Sequence, residues 1–437
     1  MSLSWEKEYK EKLKTPQEAA KAVKSGDIVY IGCSSSIAYT LSEALSAREN
    51  EVENVTIACF MVTHPNSLFS GKNPRAFKCL TFFMGPSERQ MQKRGLADYT
   101  SLSYSEVDIF CKRTAPADVA FLHVSSPDES GYMSFGSAGV SMHTFVREAA
   151  KSIVLQVNRQ MPYVYGEQNL IHVSEADAIV EVDEDMPGLE TSIPIDEVMQ
   201  SISNYLLEQI SDGACIQLGT GGVATAVGYG LKKKNDLGIH SEMISDSLME
   251  LMQMGIVNNS RKQYLPHKTV TSFALGSKDL YRFLDHNPDV YFMPSLLVND
   301  PAVIARNDNM ISINTAMAID ILGQVCADNI AGRQHSAIGG QVDFVRGAQL
   351  SKGGKSFIAI ASTYETKNGR SSRIVTHLPP GSAVTTSRSD VQYVATEFGC
   401  VNLKPLSMQG RIRAMISLAH PDFRDMLTDE AKAAGVY

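Results

Sequence analysis

The stretch that decides the fold runs from Gly213 to Asp246 and reads GACIQLGTGGVATAVGYGLKKKNDLGIHSEMISD. It begins with an apolar run of strand length, passes through a cluster of glycines, and then shows the apolar periodicity of a helix over residues 223–231. A second apolar run leads to a carboxylate, Glu242. The order strand, tight turn, helix, strand predicts a βα unit of a parallel sheet.

The glycine cluster has two interpretations that this pattern leaves open. Residues 219–224 fit the pattern G-x-G-x-x-A of dinucleotide folds, and Glu242 lies about where such folds place the acid that binds a ribose. Alternatively, the glycines serve only a tight turn between a strand and a helix. A turn of this kind lets a backbone approach a ligand closely, and the first N–H groups of the helix can bind an anion or a developing oxyanion.

A second copy of this pattern lies near the amino terminus. Gly26 to Ala38 aligns without a gap on Gly213 to Thr225, and both copies read helix, glycine, strand, glycine, small residues, helix. The match predicts a duplicated α/β domain. Alternating strand and helix patterns elsewhere predict mostly parallel sheets covered by helices, so the expected fold class is α/β with two similar open domains.

The acid- and proline-rich segment from Glu181 to Pro194 is a plausible crossing between the two halves. We therefore expect one domain over residues 1–190 and a second over residues 191–437, the latter carrying Glu242. Thr15 followed by Pro16 and Glu18 predicts a helix start with a capping box. The run from Lys352 to Lys355 predicts a solvated hairpin rather than a phosphate loop, because the helix and Ser/Thr of a P-loop are missing.

Composition bounds the class of protein. The 437 residues are 43% hydrophobic and 20% charged, as in a folded soluble protein, and their number favours two domains. The net charge of −8 argues against a nucleic-acid or anionic-membrane partner, but it leaves room for a local basic patch that binds a phosphorylated cofactor. The amino terminus is polar, without the apolar core of a signal peptide, and no apolar run is long enough for a membrane span. We expect a cytoplasmic protein.

The cysteines are scattered, and none forms a CxxC pair. Most lie in apolar runs, so we interpret them as buried free thiols in a reducing compartment, and no metal site is expected. The seven residues are Cys33, Cys59, Cys79, Cys111, Cys215, Cys326 and Cys400.

A series of short motifs, in this order, resembles the family I CoA-transferases, specifically the acetyl-CoA hydrolase/transferase branch. No single motif is specific, but the series covers nearly the whole chain. It consists of VSSPDESGY (124–132), VN (157–158) with MP (161–162) and YG (165–166), QLGTGG (217–222), GIHSEM (238–243), GGQVDF (339–344), EFG (397–399) and HPDFR (420–424).

The resemblance implies a covalent mechanism with Glu242 as the nucleophile. Its carboxylate would attack an acyl-CoA thioester, and the released CoA thiolate would return to form a glutamyl-CoA thioester that passes CoA to a second carboxylate. The implied substrates are acetyl-CoA and a short-chain carboxylate, with 4-hydroxybutyrate favoured and butyrate next. An acetyl-CoA hydrolase on the same fold is the near alternative, and a dinucleotide-binding oxidoreductase is the remote one.

The resemblance also implies where CoA binds. The residues that match the family's CoA contacts are Gln217, Leu218, Gly219, Thr220, Gly221, Gly222, Met317, Gly339, Gly340 and Gln341. Backbone N–H groups of the two glycine turns would stabilise the oxyanion at about 3–4 kcal/mol per donor. No tightly bound cofactor and no metal is implied, because coenzyme A is itself a substrate. The family suggests acetate metabolism in fermenting bacteria and a homodimer or homotetramer.

Several of these residues have a structural alternative. His240 is better explained as a structural imidazole than as a catalytic assistant, and Asp343 as a structural carboxylate. Gln341 is equally well explained as a substrate ligand or as a turn cap, and Met317 equally well as a core side chain. Cys215 lies inside a predicted strand and is not expected to be a nucleophile.

Overall fold

The computed structural model describes residues 4–188, 194–219, 221–330 and 332–436. Its strands in the amino-terminal half are β1 (Ile28–Cys33), β2 (Val55–Phe60), β3 (Phe77–Thr81), β4 (Ala97–Tyr99), β5 (Val119–Val124), β6 (Tyr132–Ser134), β7 (Ser152–Asn158), β8 (Leu170–His172) and β9 (Ala178–Val182). Those that follow are β10 (Cys215–Leu218), β11 (Gly238–Ile244), β12 (Thr269–Ala274), β13 (Val290–Phe292), β14 (Met310–Thr315), β15 (Ala318–Asp320), β16 (Val325–Cys326), β17 (Asn329–Ile330), β18 (Arg333–Gln334), β19 (Lys355–Ala359), β20 (Thr363–Thr366), β21 (Gly369–Ser372), β22 (Ile374–Val375), β23 (Tyr393–Thr396) and β24 (Gly399–Asn402).

The α-helices alternate with these strands. They are α1 (Ser4–Lys12), α2 (Pro16–Ala20), α3 (Tyr39–Ser46), α4 (Pro86–Gln92), α5 (Val107–Ile109), α6 (Gly136–Gly139), α7 (His143–Ala149), α8 (Glu197–Glu208), α9 (Gly222–Gly230), α10 (Asp246–Gln253), α11 (Lys278–Leu284), α12 (Ser295–Val298), α13 (Pro301–Ile304), α14 (Gln341–Leu350), α15 (Met408–Leu418) and α16 (Pro421–Ala433). In the part of the chain that the structure describes, no helix combines the length and the apolar character needed to cross a membrane.

The first large sheet has seven strands in the order β4-β3-β2-β1-β5-β7-β9. Its recorded neighbours all run parallel. Every residue of β5 is buried, as expected for a central strand covered by helices on both faces. The strand order changes direction between β1 and β5, which makes that position the topological switch point of the sheet.

The second large sheet repeats this plan. Its order is β13-β12-β11-β10-β14-β19-β23-β24, so seven of its eight strands correspond one by one to those of the first sheet. The neighbours β10–β11, β10–β14, β14–β19 and β19–β23 are parallel, and β24 is added antiparallel to β23. The predicted α/β class and the duplication are therefore confirmed, and β10 takes the place in the second sheet that β1 takes in the first.

The chain divides into two compact units. The first contains Met1–Thr191, Glu242–Asp246 and Val270–Val298, and the second contains Ser192–Ser241, Ser247–Thr269 and Asn299–Tyr437. The predicted boundary between residues 190 and 191 falls on residues 189–193, outside the described residues. The division into domains 1–190 and 191–437 stays a prediction.

Each unit has its own apolar core. In the first unit the core lies between the strands of the first sheet and the helices α2 and α3, with Val29, Ile57 and Leu41 among its buried members. In the second unit it lies between β19, β23 and the carboxyl-terminal helices, with Ile358 and Met415 fully or almost fully buried. Burial of such side chains is worth about 1.5–3 kcal/mol each.

Local signals in the sequence predicted the helix start at Thr15 and the strand–turn–helix–strand stretch from Gly213 to Asp246. The capping box is present, since the Thr15 hydroxyl accepts from the N–H of Glu18 and the Glu18 carboxylate accepts from the N–H of Thr15. The predicted hairpin at residues 352–355 is wrong, because these residues join α14 to β19. Gly353 there has φ +73°, a left-handed conformation that suits a helix terminus as well as it suits a hairpin.

A carboxyl group buried on α4 makes stability depend on pH. The Glu88 side chain is fully buried, and its Oε1 accepts from the N–H of Val62 at 2.8 Å. Burial raises the pKa of Glu88 from 4.5 to about 7. Between those values the folded protein binds more protons than the unfolded chain, so the free energy of unfolding falls as pH rises.

We expect Glu88 to account for a fall of up to about 3 kcal/mol between about pH 4.5 and about pH 7. Glu88→Gln should abolish this part of the pH dependence, and Glu11→Gln, on the exposed side of α1, should leave it intact. Urea unfolding at about pH 5 and about pH 8 measures it. If the free energy of unfolding of Glu88→Gln fell with pH as much as that of the unmodified protein, Glu88 would not be the group responsible.

Candidate functional site

The switch point of the second sheet lies between β10 and β14. These strands are parallel and in register, with Leu218 opposite Ile313. Open α/β sheets bind their ligands outside the carboxyl ends of the strands at such a point. The predicted glycine loop follows β10 and the segment around Met317 follows β14. The topology therefore places these two predicted groups at one edge of the second sheet.

The glycine loop continues β10 directly into α9. The N–H of Gly219 donates to the carbonyl of Ile313 at 2.8 Å, which fixes the start of the loop on β14. Gly221 is the N-cap of α9 with φ +110° and ψ 173°, a conformation that is essentially confined to glycine. Gly222 is the first residue of α9, whose amino-terminal N–H groups lack partners within the helix. Thr220 lies outside the described residues.

Gln217 is held in a buried polar network before the loop begins. Its Oε1 accepts from the Ser312 hydroxyl at 2.8 Å and from the Asn314 amide at 3.2 Å, both on β14. Its Nε2 donates to Asn314 Oδ1 at 3.4 Å. The side chain is 1% exposed, and its amide is engaged on both ends. Gln217 can therefore contribute to ligand binding through its backbone, or by holding the loop in place through this network.

The second glycine turn precedes α14. Gly339 has φ +56°, and Gly340 is the N-cap of α14, with Gln341 as its first residue. The Gln341 side chain is buried and donates from Nε2 to the Thr386 hydroxyl at 3.0 Å. Because α14 leads into β19, a parallel neighbour of β14, it must run back along the sheet. Its amino terminus therefore starts at the same edge as the first glycine loop.

Met317 lies between β14 and β15 and is half-buried. Its backbone is held on both sides, since its N–H donates to the carbonyl of Cys326 at 2.8 Å and its carbonyl accepts from Arg373 at 3.1 Å. The predicted CoA residues thus fall into three groups of the second unit: the β10–α9 loop, the β14–β15 link and the start of α14.

Glu242 lies on β11, the strand next to β10. Its neighbours on both sides along the strand are buried, whereas Glu242 itself is partly exposed. Its backbone carbonyl accepts from the Thr271 hydroxyl on β12 at 3.2 Å, which fixes the main chain under the side chain. A partly exposed carboxylate on an otherwise buried strand is the arrangement that a nucleophile needs, because the strand holds it rigidly while leaving it open to a substrate.

An aromatic cluster of the first unit contains Tyr104, Phe60 and Phe273. The Tyr104 ring packs against Phe273 at 5.9 Å and stacks on Phe60 at 5.4 Å between centroids. Burial raises the pKa of the Tyr104 hydroxyl well above its usual value, and Glu242 is one of the neighbouring groups that add to the shift. The sequence did not single out Tyr104, because the hydrophobic pattern from residue 65 to residue 108 is weak and the ring contacts come from distant segments.

The duplication reveals which residue of the first sheet corresponds to Glu242. Ile28 pairs with Thr56 in the first sheet as Cys215 pairs with Gly238 in the second. Four residues beyond Thr56 on β2 is Phe60, and four residues beyond Gly238 on β11 is Glu242, so Phe60 takes the place of Glu242. The first copy therefore has an aromatic side chain, 3% exposed, where the second has a carboxylate. The gap-free alignment of the two copies ends before these strands, so it did not show this correspondence.

The remaining candidates have structural surroundings. The His240 ring is buried and packs near Tyr264 and Phe344, with Nδ1 3.4 Å from the amide nitrogen of Asn307. These contacts are typical of a structural imidazole. Burial raises the pKa of the Cys215 thiol to about 11, which makes the thiolate scarce near neutral pH.

The prediction of buried free thiols is confirmed for six of the seven cysteines. All seven cysteines are free thiols; six are buried, and Cys400 is half-buried. Asp343, for which a structural role is predicted, is buried on α14 and accepts from the Asn299 amide at 3.4 Å.

Two family models match the chain. Residues 2–189 match the acetyl-CoA hydrolase/transferase N-terminal domain, and residues 276–431 match the acetyl-CoA hydrolase/transferase C-terminal domain. Together they define an enzyme class that acts on CoA thioesters.

Relatives of similar length carry the comparison further. A succinyl-CoA:cyclohexane-1-carboxylate CoA transferase of Geobacter metallireducens is 42% identical over 98% of this chain and 97% of its own. A 4-hydroxybutyrate coenzyme A transferase of Clostridium kluyveri is 41% identical over 98% of this chain and 99% of its own. A butyryl-CoA:acetate CoA-transferase of Anaerostipes caccae is 36% identical over 100% and 99%.

Solved structures agree with these relatives. RipA from Yersinia pestis superposes with a TM-score of 0.93 at 34% identity and covers 100% of both chains. A 4-hydroxybutyrate CoA-transferase from Porphyromonas gingivalis gives a TM-score of 0.81 at 34% identity over 98% of this chain and 100% of its own. The chain therefore belongs to the acetyl-CoA hydrolase/transferase family and is a CoA-transferase.

Proposed function

We propose that the enzyme moves CoA between acetyl-CoA and a short-chain carboxylate, with 4-hydroxybutyrate favoured, through a glutamyl-CoA thioester on Glu242. The observation that carries this proposal is the position of Glu242, a partly exposed carboxylate on a strand that is otherwise buried. Support for the substrates comes from the relatives that act on 4-hydroxybutyrate and on butyryl-CoA with acetate.

The proposed reaction is a series of acyl transfers in which all bonds balance. The Glu242 carboxylate attacks the thioester carbonyl of acetyl-CoA and expels the CoA thiolate, leaving an acetyl-glutamyl anhydride. The thiolate attacks the glutamyl carbonyl of this anhydride and expels acetate. The resulting glutamyl-CoA thioester then runs the same two steps in reverse with the second carboxylate. Covalent catalysis of this kind divides one difficult exchange into easier steps.

The surroundings of Glu242 suit this chemistry. Phe273 lies on the adjoining strand β12, Tyr104 packs against Phe273, and Glu242 is near enough to Tyr104 to help raise the pKa of its hydroxyl. Apolar neighbours lower the local dielectric and strengthen the interaction of a developing oxyanion with backbone donors. Slow entry of water would let the glutamyl-CoA thioester persist until the second carboxylate arrives.

Hydrolysis is the second candidate, because acetyl-CoA hydrolases of Kluyveromyces lactis and Candida albicans are related over about half of the chain, at 29% and 28% identity. Both reactions share the glutamyl-CoA intermediate and differ in what resolves it. A dinucleotide-dependent oxidoreductase has no observation in its favour beyond the glycine pattern. We further propose a cytoplasmic homodimer or homotetramer.

Trapping tests the proposal. The enzyme is incubated with acetyl-CoA alone, treated with borohydride or hydroxylamine, and mapped by peptide mass spectrometry. We expect an acetyl-CoA-dependent mass change on the peptide that carries Glu242, and none in Glu242→Gln. Turnover measured with 4-hydroxybutyrate, with butyrate and without any acid then separates the acceptors from hydrolysis. Turnover without modification of that peptide would overturn the covalent mechanism.

A further inference from the structure

The carboxyl-terminal part of β11 is fixed on β12 and on the turn that follows β12. The carbonyl of Glu242 accepts from the Thr271 hydroxyl at 3.2 Å, and the carbonyl of Ile244 accepts from the N–H of Leu275 at 3.2 Å. All four residues belong to the first unit. The strand ends at Ile244, only two residues beyond Glu242. The position of Glu242 therefore depends on what holds the chain just after the strand.

Asp246 provides an attachment two residues beyond the end of β11. Its Oδ1 accepts from the Ser277 hydroxyl at 2.5 Å and from the Ser277 N–H at 3.2 Å, and its Oδ2 accepts from the same N–H at 3.1 Å. Ser277 is the N-cap of α11, and its hydroxyl oxygen accepts from the N–H of Leu280. Hydrogen bonds to an ionised acceptor are about twice as strong as neutral ones. The Asp246 carboxylate therefore ties the end of β11 to the start of α11.

The backbone before Ser277 leaves room for this carboxylate. Gly276 is buried, and an added Cβ there would lie 2.6 Å from Oδ2 of Asp246 and 2.8 Å from Cδ2 of Leu280. A larger residue at position 276 would push the carboxylate away from Ser277. The glycine and the aspartate are thus two parts of one contact.

This contact lies close to the proposed nucleophile along the chain. Four residues separate Asp246 from Glu242, at most about 14 Å when fully extended. A reacting group displaced by about 1 Å costs about 10²-fold in rate. We propose that Asp246 is a positioning residue, which fixes the end of β11 through Ser277 and so holds the Glu242 carboxylate where it attacks the thioester. This inference rests on the proposed function for the role of Glu242.

A purely structural role of Asp246 would have a different signature. A carboxylate that only stabilises a helix start affects the unfolding midpoint and leaves the rate of the folded enzyme unchanged. Asp196 is the matched control, because it caps α8 by accepting from the N–H of Met199 at 2.7 Å. Asp196→Ala should lower the unfolding midpoint and keep the kcat of the unmodified enzyme.

Substitutions around the contact should lower kcat in a fixed order. Asp246→Ala should lower kcat about 10²-fold, with a KM for acetyl-CoA within about twofold of the unmodified value. Asp246→Asn keeps one oxygen as an acceptor for Ser277 and should lower kcat only about tenfold. Gly276→Ala displaces the carboxylate without removing it, so it should lower kcat as well.

A double substitution and a trapping measurement test whether Asp246 acts through Ser277 on Glu242. Ser277→Ala should lower kcat, and the variant with both Asp246→Ala and Ser277→Ala should be no slower than Asp246→Ala, because both changes remove the same contact. The rate at which acetyl-CoA modifies the Glu242 peptide in a single turnover should fall by the same factor as kcat.

The two possible failures give different results. The inference is overturned if Asp246→Ala keeps its kcat, if its loss lies in KM, or if Asp196→Ala loses as much kcat, and in each of these cases Glu242→Gln stays inactive. If Glu242→Gln keeps its turnover, the proposed function fails, and the inference about Asp246 fails with it.

Discussion

Glu242→Gln should lower the rate of CoA transfer by at least about 10⁴-fold, because an amide cannot displace the CoA thiolate and no intermediate can form. The change is nearly isosteric, and the bond from Thr271 goes to the backbone carbonyl, which the substitution keeps. We therefore expect the unfolding midpoint to stay close to that of the unmodified enzyme. Initial rates with acetyl-CoA and 4-hydroxybutyrate measure the effect.

A shorter carboxylate sharpens this test. Glu242→Asp keeps the nucleophile but withdraws it by about one bond length, and a displacement of about 1 Å costs about 10²-fold in rate. The expected order is the unmodified enzyme, then Glu242→Asp, then Glu242→Gln. Glu250→Gln, four residues beyond Asp246 and paired with Lys232 on the surface, is the control that should keep full activity. Equal activity in Glu242→Gln and the unmodified enzyme would exclude Glu242 as the nucleophile.

Gly32→Ala should lower the free energy of unfolding by about 3–5 kcal/mol. Gly32 ends the regular part of β1 with φ +109°, and an added Cβ would lie 2.3 Å from the carbonyl oxygen of Ser36 and 2.7 Å from Cα of Ile37. Both obstacles are backbone atoms, so no side-chain rotation relieves them. The residue thus combines an unfavourable backbone conformation with a steric clash.

Gly26 on the other side of β1 separates these two causes. It has φ +86°, but an added Cβ would meet nothing within 4 Å. Gly26→Ala should therefore show the conformational cost alone, about 1–2 kcal/mol. Urea unfolding with an unchanged m-value compares the variants. If both substitutions lower the free energy of unfolding by the same amount, the turn after β1 relaxes around the new Cβ. The steric clash is then not the reason why residue 32 must be glycine.

Features that depend on neighbouring residues could be predicted from the sequence. The start of α2 was predicted because the capping box of Thr15 and Glu18, with Pro16 in the first turn, lies within four residues. The unit β10–α9–β11 was predicted because its glycines, its helical periodicity and its apolar runs lie within one stretch. The motifs that resemble the family are of the same kind, since each is a short run. Their order along the chain was enough to identify the enzyme class.

Features that depend on distant residues could not be predicted. Gln217 was expected to contact CoA, but Ser312 and Asn314, which engage its side chain, come from a strand almost a hundred residues later. Tyr104 escaped notice because its partners lie on β2 and β12. Two glycines near residue 353 suit a hairpin and a helix end equally well. The choice between a hairpin and a helix end depends on the strand with which the next segment pairs, which here is β14.

The composition of the first unit from three separate segments has a consequence for synthesis on the ribosome. Proteins commonly begin to fold from the amino terminus while the chain is still growing. Here, however, the first unit also needs Glu242–Asp246 and Val270–Val298. It cannot be completed until the chain has grown past residue 298, by which time the opening strands of the second sheet have emerged as well. Truncated chains therefore lack both a finished first unit and the packing around Glu242, the proposed nucleophile.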